Sequence, residues 1–477
     1  MKRIWTAALA ALVLAGLAGA VPSSSSSAAG AQRYLVVLAG TEGAEGFALA
    51  GTQQAVEAAV IASGGTIAND LSKQIGVIVA ESASATFAGV LSSSALVESV
   101  GADFNWQGIP AGAAPEPVDD PLEAAQWDMQ QIRTDEAHAI QGGIPAVDVG
   151  VLDSGIDGNH LDFKKGLSSN VDCVRGRNSV AFLPNGPGVG TSDPCVDNQF
   201  HGTHVAGTIG ARANGIGIVG VAPNVTLVPV KVCDASGYCY ASAVVDGITY
   251  AGDQKFDVIN MSFFVDDNEF QESTEFKCMD DPIQRSFRLA VERAIQYARN
   301  QGVTPVAALG NSDEDLANPS EPNENNCDVV PAETQGVIGT AALGRQKQKA
   351  SYSNYGTGAT DVAAPGGTGT GNCTNAVPST FPASTYGCIS GTSMASPHAA
   401  GVAALIISQF GTVGADGDVK MSPTEVEQYL QGTAIDQGLP GYDKCFGNGR
   451  IDALRAVKHD TSKAYDSSAP FCPEYKE

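Results

Sequence analysis

The sequence GTSMASPH occupies positions 391–398 and continues directly into the apolar segment AAGVAALIISQF at 399–410. That segment is too apolar for a surface helix, so it predicts a buried helix that begins near Ser393. We expect Thr392 or Ser393 to cap this helix, and Pro397 lies early enough in it to be tolerated. A serine at a helix N-terminus lies beside free backbone N–H groups and the positive end of the helix dipole, which suits a nucleophile.

A nucleophilic serine needs a base and an orienting acid, and candidates for both lie upstream. Asp153 in VLDSGID ends a predicted strand, and the carboxyl ends of parallel strands are where α/β proteins place their sites. His201 opens HGTHVAGT ahead of a predicted helix, whereas His204, one turn later, is expected to be structural. Asn311 in AALGNS follows another strand and suits an oxyanion donor.

Each of these residues also has a simpler interpretation when it is taken alone. A serine or an aspartate often caps an element, a single histidine usually belongs to the core, and Gly-Asn is usually a turn. Their occurrence in the order Asp, His, Asn, Ser, each at a junction between predicted elements, favours one shared site.

Strands and helices alternate through the large second part of the chain. Predicted strands cover 148–152, 226–230, 258–261, 304–309, 336–340 and 361–363, and predicted helices cover 205–211, 241–253 and 287–300. This alternation predicts an α/β fold with a mostly parallel central sheet and helices on both faces.

The first part of the chain predicts three further units. Residues 1–20 have the charged head, apolar run and small residues of a secretory signal peptide, and 21–31 are a flexible, serine-rich joint. Residues 32–105 predict a small α+β domain, with strands at 34–38, 75–79 and 97–100 and helices at 53–63 and 86–91. A linker at 106–122, rich in Ala, Gly, Pro and acidic residues, is expected to hold a processing site, and the large domain covers 123–477.

The cysteines and the charge balance narrow the class of protein. All ten cysteines lie in the large domain, and an even count behind a predicted signal peptide favours disulfides, with pairing of sequential neighbours as the simplest choice. The formal net charge is −25, from 52 acidic and 27 basic residues. That charge argues against a nucleic-acid partner and permits calcium binding, although a solvated acidic surface is the simpler interpretation.

The three motifs around Asp153, His201 and Ser393 resemble the signature motifs of the subtilisin-like serine proteases (subtilases), and the order Asp, His, Ser is theirs. The similarity extends over about 127–457, and the leading domain resembles the family's inhibitory propeptide. The resemblance implies a secreted serine endopeptidase that is made as a self-processing zymogen. It also implies peptide or protein substrates, the propeptide as an intramolecular inhibitor, no membrane association after signal cleavage, and a monomer.

The resemblance also assigns roles to individual residues. Ser393 would attack the scissile carbonyl, His201 would transfer the proton, and Asp153 would orient His201. Asn311 and the backbone N–H of Ser393 would hold the oxyanion. Residues expected to flank the substrate as neighbouring strands are Ser262, Ala308, Leu309 and Gly310.

No cofactor is expected for catalysis, but the resemblance implies a structural Ca²⁺ site. Its ligands would come from Asp162 and from the loop residues Arg212, Asn214, Ile216 and Ile218. Glu123 and Gln126 are both candidates to complete the site, and the sequence does not distinguish them. The chain departs from the family after Ser262, where Phe263, Phe264 and Val265 stand in place of small residues and glycines.

Two hypotheses of different class remain at this point. The first is an active secreted endopeptidase, and the second is a catalytically inactive subtilase-like module used for binding or adhesion. Inactive relatives would be expected to lose a catalytic residue, whereas this chain has all of them. Substrate preference is not determined by the sequence, and both a broad scavenging role and a selective maturation role are open.

Overall fold

The structure is a computed structural model that describes residues 30–43, 46–109, 125–180, 193–264, 281–317, 328–369, 372–415 and 417–472. Several predictions concern residues outside these ranges. They are the signal peptide at 1–20, most of the joint at 21–31, the linker from 110 to 122, Glu123, Val265, Cys278 and Cys327.

The leading domain has four long strands in one antiparallel sheet and a short hairpin. Its strands are β1 Gln32–Leu38, β2 Gly40–Gly43, β3 Gly46–Leu49, β4 Gly65–Leu71, β5 Val77–Ser82, β6 Val97–Ala102 and β7 Asn105–Gln107. Its helices are α1 Gln53–Ala62, α2 Ser72–Ile75 and α3 Phe87–Leu91. The sheet order is β4-β5-β1-β6, and β2 pairs with β3.

Alternate residues of β1 face two different cores. Val36 and Leu38 pack with α1 and α3 inside the leading domain. Leu35 and Val37 join a cluster that belongs mainly to the large domain. Because side chains alternate across a strand, a strand whose residues are apolar at every position is buried on both faces. The sheet therefore lies between its own helices and the large domain.

The sequence-based prediction of this domain was incomplete. The strands β2, β3 and β4 were not expected. Their residues are mostly polar or small, so the sequence shows no clear alternation of apolar and polar residues. Ile75, predicted to begin a strand, lies instead at the end of α2, and β5 begins at Val77. In each case pairing with a neighbouring strand decides the structure.

The large domain contains the remaining elements. Its strands are β8 Asp148–Asp153, β9 Lys164–Lys165, β10 Ser168–Ser169, β11 Arg177–Asn178, β12 Thr226–Lys231, β13 Tyr238–Tyr240, β14 Val258–Met261, β15 Thr304–Ala308, β16 Ile338–Leu343, β17 Val362–Pro365, β18 Val377–Phe381, β19 Thr385–Ile389, β20 Thr412–Val413 and β21 Val419–Lys420. Its helices are α4 Trp127–Gln131, α5 Thr134–His138, α6 His201–Gly210, α7 Ala241–Gln254, α8 Pro282–Asn300, α9 Thr392–Phe410, α10 Pro423–Thr433 and α11 Ala453–Lys458.

Seven of these strands form the central sheet in the order β11-β12-β8-β14-β15-β16-β17, and every neighbouring pair is parallel. Helices α7 and α8 pack on one face with part of the leading domain. Helices α6, α9, α10 and α11 pack on the other. The predicted α/β fold is confirmed. None of the helices in the described ranges combines the length and apolarity that crossing a bilayer requires.

The leading domain contacts the large domain through α7, α8 and β13. On α8, the buried Arg293 donates to the carbonyl of Leu38 at 3.0 Å and to the Glu98 carboxylate at 2.5 Å. At the start of α7, Asp103 accepts hydrogen bonds from the backbone and hydroxyl of Ser242. Polar contacts at both helices therefore fix the orientation of the leading domain.

The beginning of the expected linker is ordered. Residues 105–107 form β7, which pairs antiparallel with β13, and Trp106 and Ile109 are both 2% exposed. Residues 106–109, which the sequence assigned to the linker at 106–122, therefore pack against the large domain, and the remainder of that linker lies outside the described residues. The stretch is rich in Ala, Gly, Pro and acidic residues, but Trp106 and Ile109 are buried in a cluster shared with the large domain, and Trp106 packs on Phe263 and Phe287.

Four disulfides lie within the described residues, and each joins sequential neighbours as expected. They are Cys173–Cys195, Cys233–Cys239, Cys373–Cys388 and Cys445–Cys472.

Candidate active site

Asp153 and His201 form a buried hydrogen-bonded pair at the carboxyl edge of the sheet. Asp153 is the last residue of β8, and His201 is the first residue of α6. The imidazole Nδ1 lies 3.0 Å and 2.9 Å from the two carboxylate oxygens, and neither residue is exposed. Because a carboxylate oxygen accepts, Nδ1 is the donor in this pair, and in the neutral imidazole Nε2 is then the nitrogen with the lone pair that a general base requires.

A second buried carboxylate, Asp197, holds the start of α6 in place. It accepts hydrogen bonds from the hydroxyls of Ser154 and Thr203, and from the backbone N–H groups of Thr203, Gln199 and Phe200. Burial raises the pKa of Asp197 above its usual value, although these hydrogen bonds oppose the rise. This residue was not predicted from the sequence, where its signal is a carboxylate four positions before His201.

Ser393 lies in the first turn of α9, where backbone N–H groups have no intrahelical partner. Its hydroxyl donates to the carbonyl oxygen of Ser262 at 3.0 Å. Among the described residues, Nε2 of His201 is buried and has no hydrogen-bond partner. The hydrogen bond between Ser393 and His201 is thus absent from this conformation, although the helices that carry them, α6 and α9, pack together.

The hydroxyl of Ser262 supports the first turn of α9. Pro397 has no N–H, so the carbonyl of Ser393, four residues earlier, lacks its helical partner. Ser262 donates to that carbonyl at 2.8 Å and also contacts the Ser396 hydroxyl at 2.9 Å. The expected side-chain cap is absent, because Gly391 is the N-cap residue and makes no side-chain cap bond. The prediction that Thr392 or Ser393 caps α9 was wrong, since both already lie inside the helix.

Asn311 follows β15 and is tied to the start of α9. Its carboxamide oxygen accepts from the backbone N–H and from the hydroxyl of Thr392, both at 2.9 Å. A backbone N–H can only donate, so the atom facing it must be the oxygen. The amide nitrogen therefore remains as the donor available to a ligand.

The buried side chain of Asn354 clamps the loop that carries Asn311, and the sequence analysis missed it. Its oxygen accepts from the backbone N–H groups of Ser312 and Glu314, and its nitrogen donates to the carbonyl of Leu309 at 3.1 Å. Gly310 has φ +105°, and a methyl group there would lie 2.5 Å from the Asn354 amide nitrogen. Glycine is required at this position by both the backbone and the close approach.

Comparison with known proteins identifies the family to which this arrangement belongs. The model of the subtilase family of peptidases matches residues 145–449, which is more than half of the chain. The chain belongs to the subtilase family. Subtilisin DY of Bacillus licheniformis is 35% identical over 312 residues, which cover 65% of this chain and 91% of that protein. Subtilisin of Bacillus pumilus is 32% identical over 338 residues, which cover 70% of this chain and all of that protein. This subtilase is a serine endopeptidase.

Solved structures agree on the fold. The crystal structure of an epidermin leader peptide processing serine protease from Staphylococcus aureus is similar with a TM-score of 0.69 and 20% identity, over 91% of this chain and all of that one. A lanthipeptide protease is similar with a TM-score of 0.57 and 25% identity, over 73% of this chain and 99% of that one.

Of the residues expected to flank a substrate, Ser262 contacts Ser393, and Gly310 contacts the neighbouring Thr392. In this subtilase, Ala308, Leu309 and Gly310 are all buried, and Gly310 directly precedes the exposed Asn311. Phe264 packs partly against the core, and its ring lies 3.3 Å from a methyl group built at Gly310. The Phe264 ring therefore contacts both the core and the space beside Gly310.

An additional edge strand, β13, was missed. Its residues pair with β7 of the leading domain, which lies along it as an added antiparallel strand. The short aromatic sequence YCY was too brief to be recognised as a strand without its partner.

The residues expected to bind calcium in this subtilase lie close together. Asp162 is fully buried, and one of its carboxylate oxygens accepts from the backbone N–H of Ile218 at 2.9 Å. Asn214 donates to the carbonyl of Lys164 at 2.9 Å, which folds the loop onto the Asp162 turn. Gln126 bonds both polar groups of Val219, at 2.9 Å and 3.0 Å. The set offers only oxygen ligands, so its chemistry fits Ca²⁺, although the described residues contain no group of three or more His, Cys, Asp or Glu side chains that would hold a metal.

Proposed function

We propose that this chain is an exported protease zymogen whose catalytic triad is Asp153, His201 and Ser393. The observation that carries the proposal is the buried Asp153–His201 pair, because within the described part of the chain it leaves Nε2 of His201 without a hydrogen-bond partner, beside the helix that presents Ser393. In the reaction, the Ser393 hydroxyl turns from the Ser262 carbonyl to His201 and loses its proton to Nε2.

The bond-making steps then follow from these positions. Oγ of Ser393 attacks the scissile carbonyl, and the resulting oxyanion accepts hydrogen bonds from the Asn311 amide and the Ser393 backbone N–H. His201 passes its proton to the leaving amine, which departs and leaves an acyl-enzyme. Water, deprotonated by His201, hydrolyses that ester and restores Ser393, while Asp153 stabilises the imidazolium formed in each half of the cycle.

We further propose that the leading domain is a propeptide that inhibits the enzyme until it is removed. Its contacts with α7, α8 and β13 support this role. Strand β7 pairs with β13 of the large domain, and an extended substrate peptide could bind β13 as an added strand in the same way. Secretion is supported by the similarity to subtilisins and by the signal-like residues 1–20. Calcium would act as a structural ion at Asp162 and the 212–218 loop.

The hypothesis of an inactive binding module is not favoured. The four residues on which catalysis would depend are all present, and Asp153 already contacts His201. A binding module would have no need of a fully buried carboxylate that is hydrogen-bonded to that histidine.

The test compares full-length wild type with Ser393→Ala and with the matched control Ser92→Ala, whose residue is exposed in the leading domain. We expect Ser393→Ala to lose casein hydrolysis, to retain its circular dichroism spectrum, and to accumulate uncut between residues 111 and 126. Ser92→Ala should hydrolyse casein and process normally. Hydrolysis by Ser393→Ala at the wild-type rate would exclude this nucleophile. A normally cut Ser393→Ala chain, expressed without other proteases, would exclude self-processing.

A further inference from the structure

The end of the leading domain lies along β13 of the large domain. Residues 105–107 pair antiparallel with β13, and the backbone N–H of Ile109 donates to the carbonyl of Gly237 at 3.3 Å. The ring of Trp106 lies 6.3 Å from that of Phe263, the residue after Ser262, whose carbonyl accepts from Ser393. This segment therefore lies where an extended substrate would bind, an inference that rests on the proposed function.

Gly108, within this segment, packs directly on a disulfide. A methyl group built at Gly108 would lie 2.5 Å from Sγ of Cys239 and 3.2 Å from its Cβ. The backbone of Gly108 is not among those in the left-handed region, so the conformation itself does not demand glycine. A methyl group there would also lie 2.8 Å from Nε1 of Trp106, and the Cys239 sulfur is its nearest contact.

The Cys233–Cys239 disulfide has little freedom to move away. Both cysteines are fully buried, and they close a loop of few residues. Inside that loop, the Asp234 carboxylate accepts from the backbone N–H groups of Ser236 and Tyr238 and from the hydroxyl of Tyr240. If the neighbour of position 108 were the end of a flexible side chain, it could rotate away from an added methyl group. The Cys239 sulfur cannot, because it is held by the disulfide bond in a loop that the Asp234 hydrogen bonds fix.

Two residues before Gly108, an aromatic side chain fills an aromatic pocket. Trp106 lies 5.5 Å, between ring centres, from Phe287 on α8, in addition to its contact with Phe263. Tilted and edge-on ring contacts at these distances stabilise aromatic pairs beyond simple burial. Phe263 and Phe287 belong to the large domain, so the pocket remains available to a substrate after the leading domain has left.

We propose that the Cys233–Cys239 disulfide is a specificity determinant that restricts one substrate position to glycine. The substrates are peptides that contain an aromatic residue, any second residue and then glycine. The aromatic side chain enters the Phe263–Phe287 pocket, and the glycine lies against the disulfide. The sequence Trp106-Gln107-Gly108 in the chain itself is one example of this pattern.

The first test needs only the processed wild-type enzyme and synthetic peptides of residues 103–126. The peptide carries glycine, alanine or valine at position 108, and casein hydrolysis by the same preparation reports protease activity in general. We expect kcat/KM to fall about 10-fold or more from glycine to alanine, and further for valine, because overpacking against a rigid wall is costly. Equal kcat/KM values for the three peptides would overturn the proposal. An enzyme that hydrolyses neither casein nor any of the peptides would contradict the proposed function itself.

The second test assigns the preference to the disulfide. The double variant Cys233→Ala/Cys239→Ala should hydrolyse the glycine and alanine peptides with kcat/KM values that approach each other. The matched control Cys445→Ala/Cys472→Ala, which lacks a disulfide near the C-terminal end of the described chain, should keep the wild-type ratio. An unchanged ratio in the Cys233→Ala/Cys239→Ala enzyme would overturn the assignment. If that variant fails to fold, the kcat/KM values of the wild type for the glycine, alanine and valine peptides still decide whether a side chain is excluded at position 108.

Discussion

The carboxamide oxygen of Asn311 accepts two hydrogen bonds from Thr392, one from its backbone N–H and one from its hydroxyl. Thr392 immediately precedes Ser393, so the oxyanion donor and the nucleophile are positioned by the same turn of α9. The Thr392 hydroxyl oxygen also accepts from the backbone N–H of Gly310 at 3.1 Å, which joins the end of β15 to that turn. The amide nitrogen of Asn311 is consequently held in one orientation before substrate arrives.

Asn311→Ala should lower kcat by about 10²–10³-fold, the magnitude known for the same donor in subtilisin, and should leave KM nearly unchanged. The reason is that the lost hydrogen bond forms chiefly with the charged oxygen of the transition state. Steady-state kinetics on one peptide substrate measure both constants. Asn224→Ala, at an exposed position, serves as the control. A rise in KM with kcat preserved would show that Asn311 binds ground-state substrate instead.

Asn354→Ala should reduce kcat by up to about 10²-fold, because the loop that carries Asn311 loses its three side-chain hydrogen bonds. In the Asn311→Ala background the same substitution should have a much smaller effect, since the donor that it positions is already gone. The measurement is a double-mutant cycle in kcat. Additive losses would mean that Asn354 supports the fold in general and not the oxyanion donor.

Stability should fall as the pH rises from about 5 to 8. Burial raises the pKa of Asp257 to about 8, and the nearby Asp148 and Asp418 carboxylates add to this while Lys420 opposes it. Between the unfolded and folded pKa values, the folded carboxyl keeps a proton that the unfolded chain releases, so the free energy of unfolding drops by up to about 1.4 kcal/mol per pH unit. Burial raises the pKa values of Asp361 and Glu333 to about 7, which acts in the same direction.

Asp257→Asn should remove part of this pH dependence. The comparison uses urea unfolding at pH 5 and pH 8 in the Ser393→Ala background, which prevents self-digestion. The exposed Asp135→Asn is the control. If the Asp257→Asn protein loses as much stability between the two pH values as its parent, Asp257 is not the group responsible.

Calcium should raise the unfolding temperature, and a chelator should reverse the effect. An ion at 100 times its dissociation constant stabilises the folded state by about 2.7 kcal/mol. Asp162→Asn should abolish the difference between calcium and chelator, because it removes the carboxylate of the proposed ligand set. Magnesium at the same concentration is the control for general ionic effects. Identical unfolding temperatures of the wild type with calcium and with chelator would refute the site.

Phe264→Gly should broaden the range of peptides that the enzyme cleaves. The Phe264 ring approaches the Gly310 edge beside Asn311, so its removal opens space for substrate side chains. A peptide-library cleavage profile measures the change, and the unfolding temperature checks that packing against the core survives. An unchanged profile in a folded variant would show that the ring serves the core alone.

The parallel sheet and its helices were predictable because apolar runs and alternating elements reflect local chemistry. The motifs around Asp153, His201 and Ser393 also stand out in the sequence, since each couples a reactive side chain to the start or end of an element. Four sequential disulfides followed the simplest pairing. In these respects the sequence by itself determined the architecture and the candidate residues.

The tertiary structure alone revealed the partners of those residues. Asn354 lies 43 positions after Asn311 along the chain. Its role depends on two loops meeting. Likewise, Pro397 leaves the carbonyl of Ser393 without its helical partner, and Ser262, which follows β14, donates a hydrogen bond to it. The contact of Gly108 with the Cys239 sulfur joins two domains. Hydrogen bonding and close packing depend on distances between segments far apart in sequence, and no local pattern of residue types encodes those distances.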